Sequence, residues 1–132
     1  MENQTLVTEI CPTTTQSWVK NGALILDVRE KDEVERLRFD VPNYHHIPLT
    51  EFEDRFQEVD PNQEIVVVCK SGGRSLRAAG FLVNHGYPKV VNMKHGLIRW
   101  VEKGFPTKGD VNEVLPASSS SCCSTDSKTG CC

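Results

Sequence analysis

The sequence predicts an α/β domain built on a mainly parallel sheet, and three observations carry that prediction. Short β-branched apolar runs stand at residues 24–28 and 65–69, each flanked by polar positions. This is how strands buried on both faces read. Between and after them, apolar residues recur at helical spacing: Leu76, Ala79 and Val83, then Leu97, Trp100 and Val101. Gly22, Gly86 and Gly104 close the helical segments, where a left-handed cap is wanted. Strands alternating with helices along one chain imply strand–helix–strand units, hence parallel pairing.

Weaker signals complete the order of elements. Residues 6–7, 44–47 and 90–91 are further candidate strands. Thr13 with Gln16 reads as a capping box opening a helix through Trp18 and Val19. Thr50 with Glu53 reads as a second box, ahead of Phe52, Phe56 and Val59. Composition changes near the end: positions 110–132 hold six serines and four cysteines but few apolar residues. Such a segment buries too little surface to offset its ordering entropy and is expected to be a flexible tail. The expected organisation is a folded domain over residues 1–109 and a Ser/Cys-rich tail over 110–132.

The bulk numbers exclude several functions. Net charge is −3 with both signs interspersed, so nothing favours nucleic acid as a partner. No aliphatic run exceeds four residues, far short of a membrane span, and the first ten residues lack a signal-peptide pattern. A cytoplasmic protein without membrane attachment is expected. Six cysteines are many for 132 residues. Cys11, before Pro12, reads as structural, and Cys69 closes an apolar run. Cys122, Cys123, Cys131 and Cys132 form two vicinal pairs, matching no zinc-binding spacing. These four could relay persulfide sulfur, bind a soft metal, form disulfides or do nothing.

The chemistry concentrates in Cys69, Lys70, Ser71, Gly72, Gly73, Arg74 and Ser75. The segment follows the most β-like run and precedes the clearest helix, where open α/β sheets place ligand sites. Adjacent glycines allow a tight loop whose N–H groups converge on one centre. The helix N-terminus, Lys70, Arg74 and Arg77 add positive charge. Such surroundings favour a thiolate, the nucleophilic form, and attract an anion. A cysteine ending a buried strand also fits an inert core thiol. The cations and the strand–loop–helix setting favour a site.

At these positions the sequence resembles the rhodanese family of sulfurtransferases, over residues 5–107. The family's active loop runs from a cysteine through four residues to an arginine and then Ser or Thr, here Cys69 to Arg74 and Ser75. Asp27, Val28 and Arg29, followed by Glu33 and Val34, are similar to its motif after the second strand. Gly96 to Trp100, then Gly104, Phe105 and Pro106, are similar to its closing helix motif. The chain departs at His46, Ile47 and Pro48, which arrive late and without the family's flanking glycines.

The resemblance implies a five-stranded, mainly parallel sheet with helices on both faces. It implies that Cys69 takes sulfane sulfur from a small anion, such as thiosulfate or polysulfide, or from a protein persulfide. The acceptor would be a thiol, of a small molecule or a protein, or cyanide, and no cofactor or metal is required. The amides from Lys70 to Ser75 would cradle the persulfide, and Lys70 would help bind the donor. Arg74 would brace the loop and pair with Glu33, with Asp27, Arg29 and the motif histidine structural. The alternatives are a non-catalytic binding module, a metal or redox protein acting through the tail, and a phosphatase or arsenate reductase. The last class places five residues, not four, between cysteine and arginine.

Overall fold

The computed structural model describes residues 7–111. In chain order the elements are β1 (Thr8–Ile10), α1 (Pro12–Lys20), β2 (Leu24–Asp27), α2 (Lys31–Arg36), β3 (Leu37–Phe39) and β4 (Tyr44–His46). There follow α3 (Phe52–Arg55), β5 (Ile65–Val68), α4 (Gly73–Asn84), β6 (Val90–Met93), α5 (Gly96–Glu102) and β7 (Thr107–Gly109). Five strands form one parallel sheet in the order β1-β6-β5-β2-β4. Central β5 is buried along its whole length, as a strand covered on both faces must be.

Period-two alternation distributes these strands over two cores. Ile25, Val66, Val68 and Val91 face Val19 of α1 and Leu97 and Trp100 of α5. Leu26, Ile65, Val67 and Val90 face Phe52 of α3 and Ala78, Ala79 and Leu82 of α4. The chain leaves β2 for edge strand β4, then crosses to β5 and continues outward to β6. The crevice beyond the carboxyl ends of β2 and β5 is thus a topological switch point, where α/β sheets bind ligands.

Several local expectations are corrected. The first strand is Thr8–Ile10, where Thr8 pairs with Val91 and Ile10 with Met93; Val7 lies just before it, and residue 6 lies outside the described residues. No capping box forms at Thr13. Helix α1 starts a residue earlier with Pro12 in its first turn, and the Thr15 hydroxyl donates back to Cys11 O at 3.0 Å. Thr50 caps nothing either; its hydroxyl donates to Glu30 at 3.1 Å. In place of one helix there is only short α3, flanked by 3-10 turns at Leu49–Glu51 and Phe56–Glu58.

The capping box lies instead at the start of α2, between Glu30 and Glu33. Leu76 faces outward at 40% exposure, and the buried stripe of α4 is Ser75, Ala78, Ala79 and Leu82. The residues between Val34 and His46 house β3, which pairs antiparallel with β7. Cys122, Cys123, Cys131 and Cys132 lie outside the described residues. Among the described residues no helix is long and apolar enough to cross a membrane.

Candidate active site

Cys69 is the first residue beyond β5 and is 1% exposed. The backbone around it is held from the side of α5. Leu97 N–H donates to Cys69 O at 2.8 Å and Ile98 N–H to Lys70 O at 3.1 Å. These are amides of the first turn of α5, donors that a helix cannot satisfy internally. In a trans peptide C=O and N–H point opposite ways, so anchoring these carbonyls turns the N–H groups of Lys70 and Ser71 away from α5.

The approach is so close that a Cβ on Gly96 would lie 2.4 Å from Lys70 O and 2.6 Å from Cys69 O. Gly96 has φ 61°, and His95 before it has φ 69°, a left-handed conformation that costs a side-chain-bearing residue energy.

On the other side, Gly72 N–H donates to the Cys69 Sγ at 3.0 Å. Gly72 caps the N-terminus of α4 with φ 106°, a region that glycine enters without steric cost. Its own carbonyl accepts from Leu76 N–H at 3.2 Å and lies near the Ser75 hydroxyl and the Asn92 amide. The sulfur thus receives the Gly72 amide and sits beside the N-terminus of α4.

Charge around the loop is distributed unevenly. Arg74 makes a two-pronged bond to Glu33, at 2.8 and 3.1 Å. Arg74 holds the Glu33 carboxyl below the ordinary carboxylate range, helped by the Glu30 N–H. Glu33 in turn raises the Arg74 guanidinium. Arg74 thus braces the loop against α2, with its charge matched, while Lys70 and Arg77 stand exposed beside it.

The rhodanese-like domain model matches residues 12–103. The chain belongs to the rhodanese-like domain family. It is 34% identical over 111 residues to Rhodanese-like domain-containing protein 17 of Arabidopsis thaliana, covering 75% of this chain and 71% of that one. It is 33% identical over 107 residues to Thiosulfate sulfurtransferase 18 of the same plant, covering 72% and 79%. Among solved structures, a rhodanese-related protein from Thermoplasma volcanium superposes with a TM-score of 0.70 at 26% identity. That match covers 78% of this chain and 99% of that one. The relative named Thiosulfate sulfurtransferase 18 supports a rhodanese-type sulfurtransferase reading at family level.

Within this rhodanese domain the residues singled out from sequence fall into two groups. Cys69 to Ser75 form the loop itself, with Glu33 attached through Arg74. Asp27 and Arg29 lie beneath, fully or almost fully buried, joined by bonds of 2.8–3.1 Å. Tyr44 O–H donates to Asp27 at 2.7 Å, and burial together with the Asp27 charge pushes the Tyr44 phenol well above its ordinary value. His46 Nε2 lies 2.6 Å from Arg29 O, tying the late histidine motif to the same buried pair.

Asn92 escaped the sequence reading. It is fully buried in β6 and touches the loop. The available signal was one amide side chain among Val90, Val91 and Met93.

Proposed function

We propose that the chain carries sulfane sulfur as a persulfide on Cys69, taken from a small anionic donor and passed to a thiophilic acceptor. With thiosulfate, the Cys69 thiolate attacks the outer sulfur, the S–S bond breaks, and sulfite leaves with the electron pair. An acceptor such as cyanide or a thiolate then attacks the terminal sulfur, and the Cys69 thiolate departs unchanged. No external oxidant or reductant enters the cycle. The observation carrying this reading is the Gly72 N–H directed at the Cys69 Sγ, within a loop whose carbonyls are held elsewhere. Amides turned inward suit an anionic sulfur better than a core thiol. The four-residue spacing between Cys69 and Arg74 fits one terminal sulfur, and the 33%-identical relative named a thiosulfate sulfurtransferase supports the donor class. Exposed Lys70 is assigned to attracting that donor.

The test is mass measurement on the peptide bearing Cys69 after incubation with thiosulfate or polysulfide. The expected result is a gain of one sulfur that cyanide removes as thiocyanate, and loss of transfer to cyanide in Cys69→Ser. Substantial turnover in Cys69→Ser, or no gain on that peptide, overturns the assignment.

A further inference from the structure

We infer that Asn92 is a positioning residue for Cys69, setting the loop from the neighbouring strand β6, and that Glu9 on strand β1 sets Asn92. Asn92 Nδ2 donates to Glu9 Oε2 at 2.8 Å. A carboxylate only accepts, so the amide must present its NH2 to Glu9 and its Oδ1 to the other side. On that side the Ser75 hydroxyl makes a short bond to Asn92 Oδ1. Oδ1 has no proton to give, so the single proton of Ser75 goes to it, although Ser75 Oγ also lies 3.1 Å from Gly72 O. The side-chain proton for Gly72 O must then come from Asn92, whose Nδ2 sits 3.3 Å away. The second N–H of Nδ2 is the one left after Glu9 takes the first.

This assignment gives each group one role. Glu9 fixes which way the Asn92 amide faces. Asn92 takes the Ser75 proton and holds Gly72 O, and so fixes the peptide plane between Gly72 and Gly73. That plane, with φ 106° at Gly72, sets the residue whose N–H reaches the Cys69 sulfur at 3.0 Å. A polar side chain in the middle of a buried strand costs stability unless every donor and acceptor is used, and here each one is. An apolar residue would fill the same place in β6, as Val91 and Met93 do beside it. The amide is explained by the loop.

The inference deepens the sulfur-transfer reading but is tested without any sulfur donor, so the two can fail separately. The probe is iodoacetamide, with alkylation read on the Cys69 peptide of the full chain by mass spectrometry. The quantity is the rate at neutral pH divided by the rate at a pH where every thiol is ionised, which separates thiolate formation from access. Asn92→Asp keeps an acceptor for Ser75 and loses both donors, to Gly72 O and to Glu9, and the ratio is expected to fall roughly fivefold. Asn92→Thr, β-branched and suited to a strand, serves should the buried carboxyl prevent folding, with a fall of similar size expected. Glu9→Ala, at the exposed edge, is expected to lower the ratio about twofold. Val91→Ala is the control: it lowers the melting temperature and leaves the ratio unchanged. Wild-type ratios in the Asn92 variants overturn the proposal, and so does an equal fall in Val91→Ala. A wild-type ratio in Glu9→Ala removes Glu9 from it.

Discussion

Two segments leave the carboxyl edge of the sheet on either side of the switch point, and different forces hold them. The loop from Cys69 to Ser75 is fixed through its backbone: carbonyls of Cys69, Lys70 and Gly72 each meet a donor. The segment from Ile47 to Val59, following β4, has backbone bonds at its ends, from Ile47 N–H to Asp27 O at 3.0 Å, from Leu49 N–H to Val28 O at 3.1 Å and from the Tyr87 O–H to Val59 O at 2.7 Å, and between them it packs mainly through side chains. Phe52 and Phe56 pack against Phe81 with ring centroids 5.5 and 4.9 Å apart, and its ion pairs, such as Arg55 with Glu51, lie at the surface. Its helical turns are short and broken, yet the face it covers is apolar and buried. Apolar packing tolerates small displacements because it is non-directional. Hydrogen bonds aimed at one sulfur do not, since they weaken steeply with angle. Around Cys69, the proposed sulfur carrier, directional backbone bonds predominate, and where the protein closes its second core apolar packing does.

This contrast can be broken most severely at Gly96. A Cβ there meets Lys70 O at 2.4 Å, so Gly96→Ala must displace the loop or α5. A shift near 1 Å at a reacting centre costs about a hundredfold in rate, and that loss in transfer to cyanide is expected while the circular dichroism spectrum remains native. Activity within a few-fold of wild type would show that the docking of α5 on the loop has no bearing on the chemistry.

Phe52→Leu addresses the other segment. The ring is 2% exposed, and its replacement is expected to reduce unfolding free energy by about 1–2 kcal/mol, read from the urea midpoint. The transfer rate of the folded protein should stay within about twofold. A large rate loss at wild-type stability would mean that the apolar segment also tunes the site.

Glu33→Gln gives the smallest effect and sharpens the boundary between the two regimes. The Glu33–Arg74 pair is about a third exposed, so solvent screening limits its contribution to under about 1 kcal/mol. Arg74 holds the Glu33 carboxyl below its ordinary range. Stability from this pair is therefore complete above the unfolded-state value and lost as pH falls through the lower folded-state value. Wild type should exceed Glu33→Gln in melting temperature at neutral pH, and the two should converge in acid. A gap that persists in acid would assign the difference to something other than the ion pair.

The loop was legible in the sequence because its ingredients are local. A thiol, paired glycines, an arginine and a hydroxyl sit within seven positions, between a β-branched run and a helical stripe. The alternation that predicted a parallel sheet was legible for the same reason, and so were α4 and α5. Cap positions were less so. Thr13 and Thr50 have capping chemistry, but Pro12 already fixes one helix start and Glu30 takes the other hydroxyl. The β3–β7 pair joins residues about seventy positions apart, and no periodicity announces it. Asn92 looked like a polar interruption because its partners, Glu9 and Gly72, are 83 and 20 positions away. Residues whose purpose lies in a distant contact carry no local mark.

The pairing of β1 with β6 has a consequence for the order in which the protein acquires its reactivity. During synthesis Cys69 leaves the ribosome before Asn92, Leu97 and Ile98, whose contacts shape its loop. Contacts spanning most of the chain form late, since the intervening loop must first close. A nascent chain that has exposed β5 and α4 thus displays Cys69, the proposed sulfur carrier, without its finished loop. The carbonyls of Cys69 and Lys70 find their partners only when the first turn of α5 has emerged. The finished loop arrives only with the last of the described elements, and a truncated chain ending before residue 96 would carry the thiol without it.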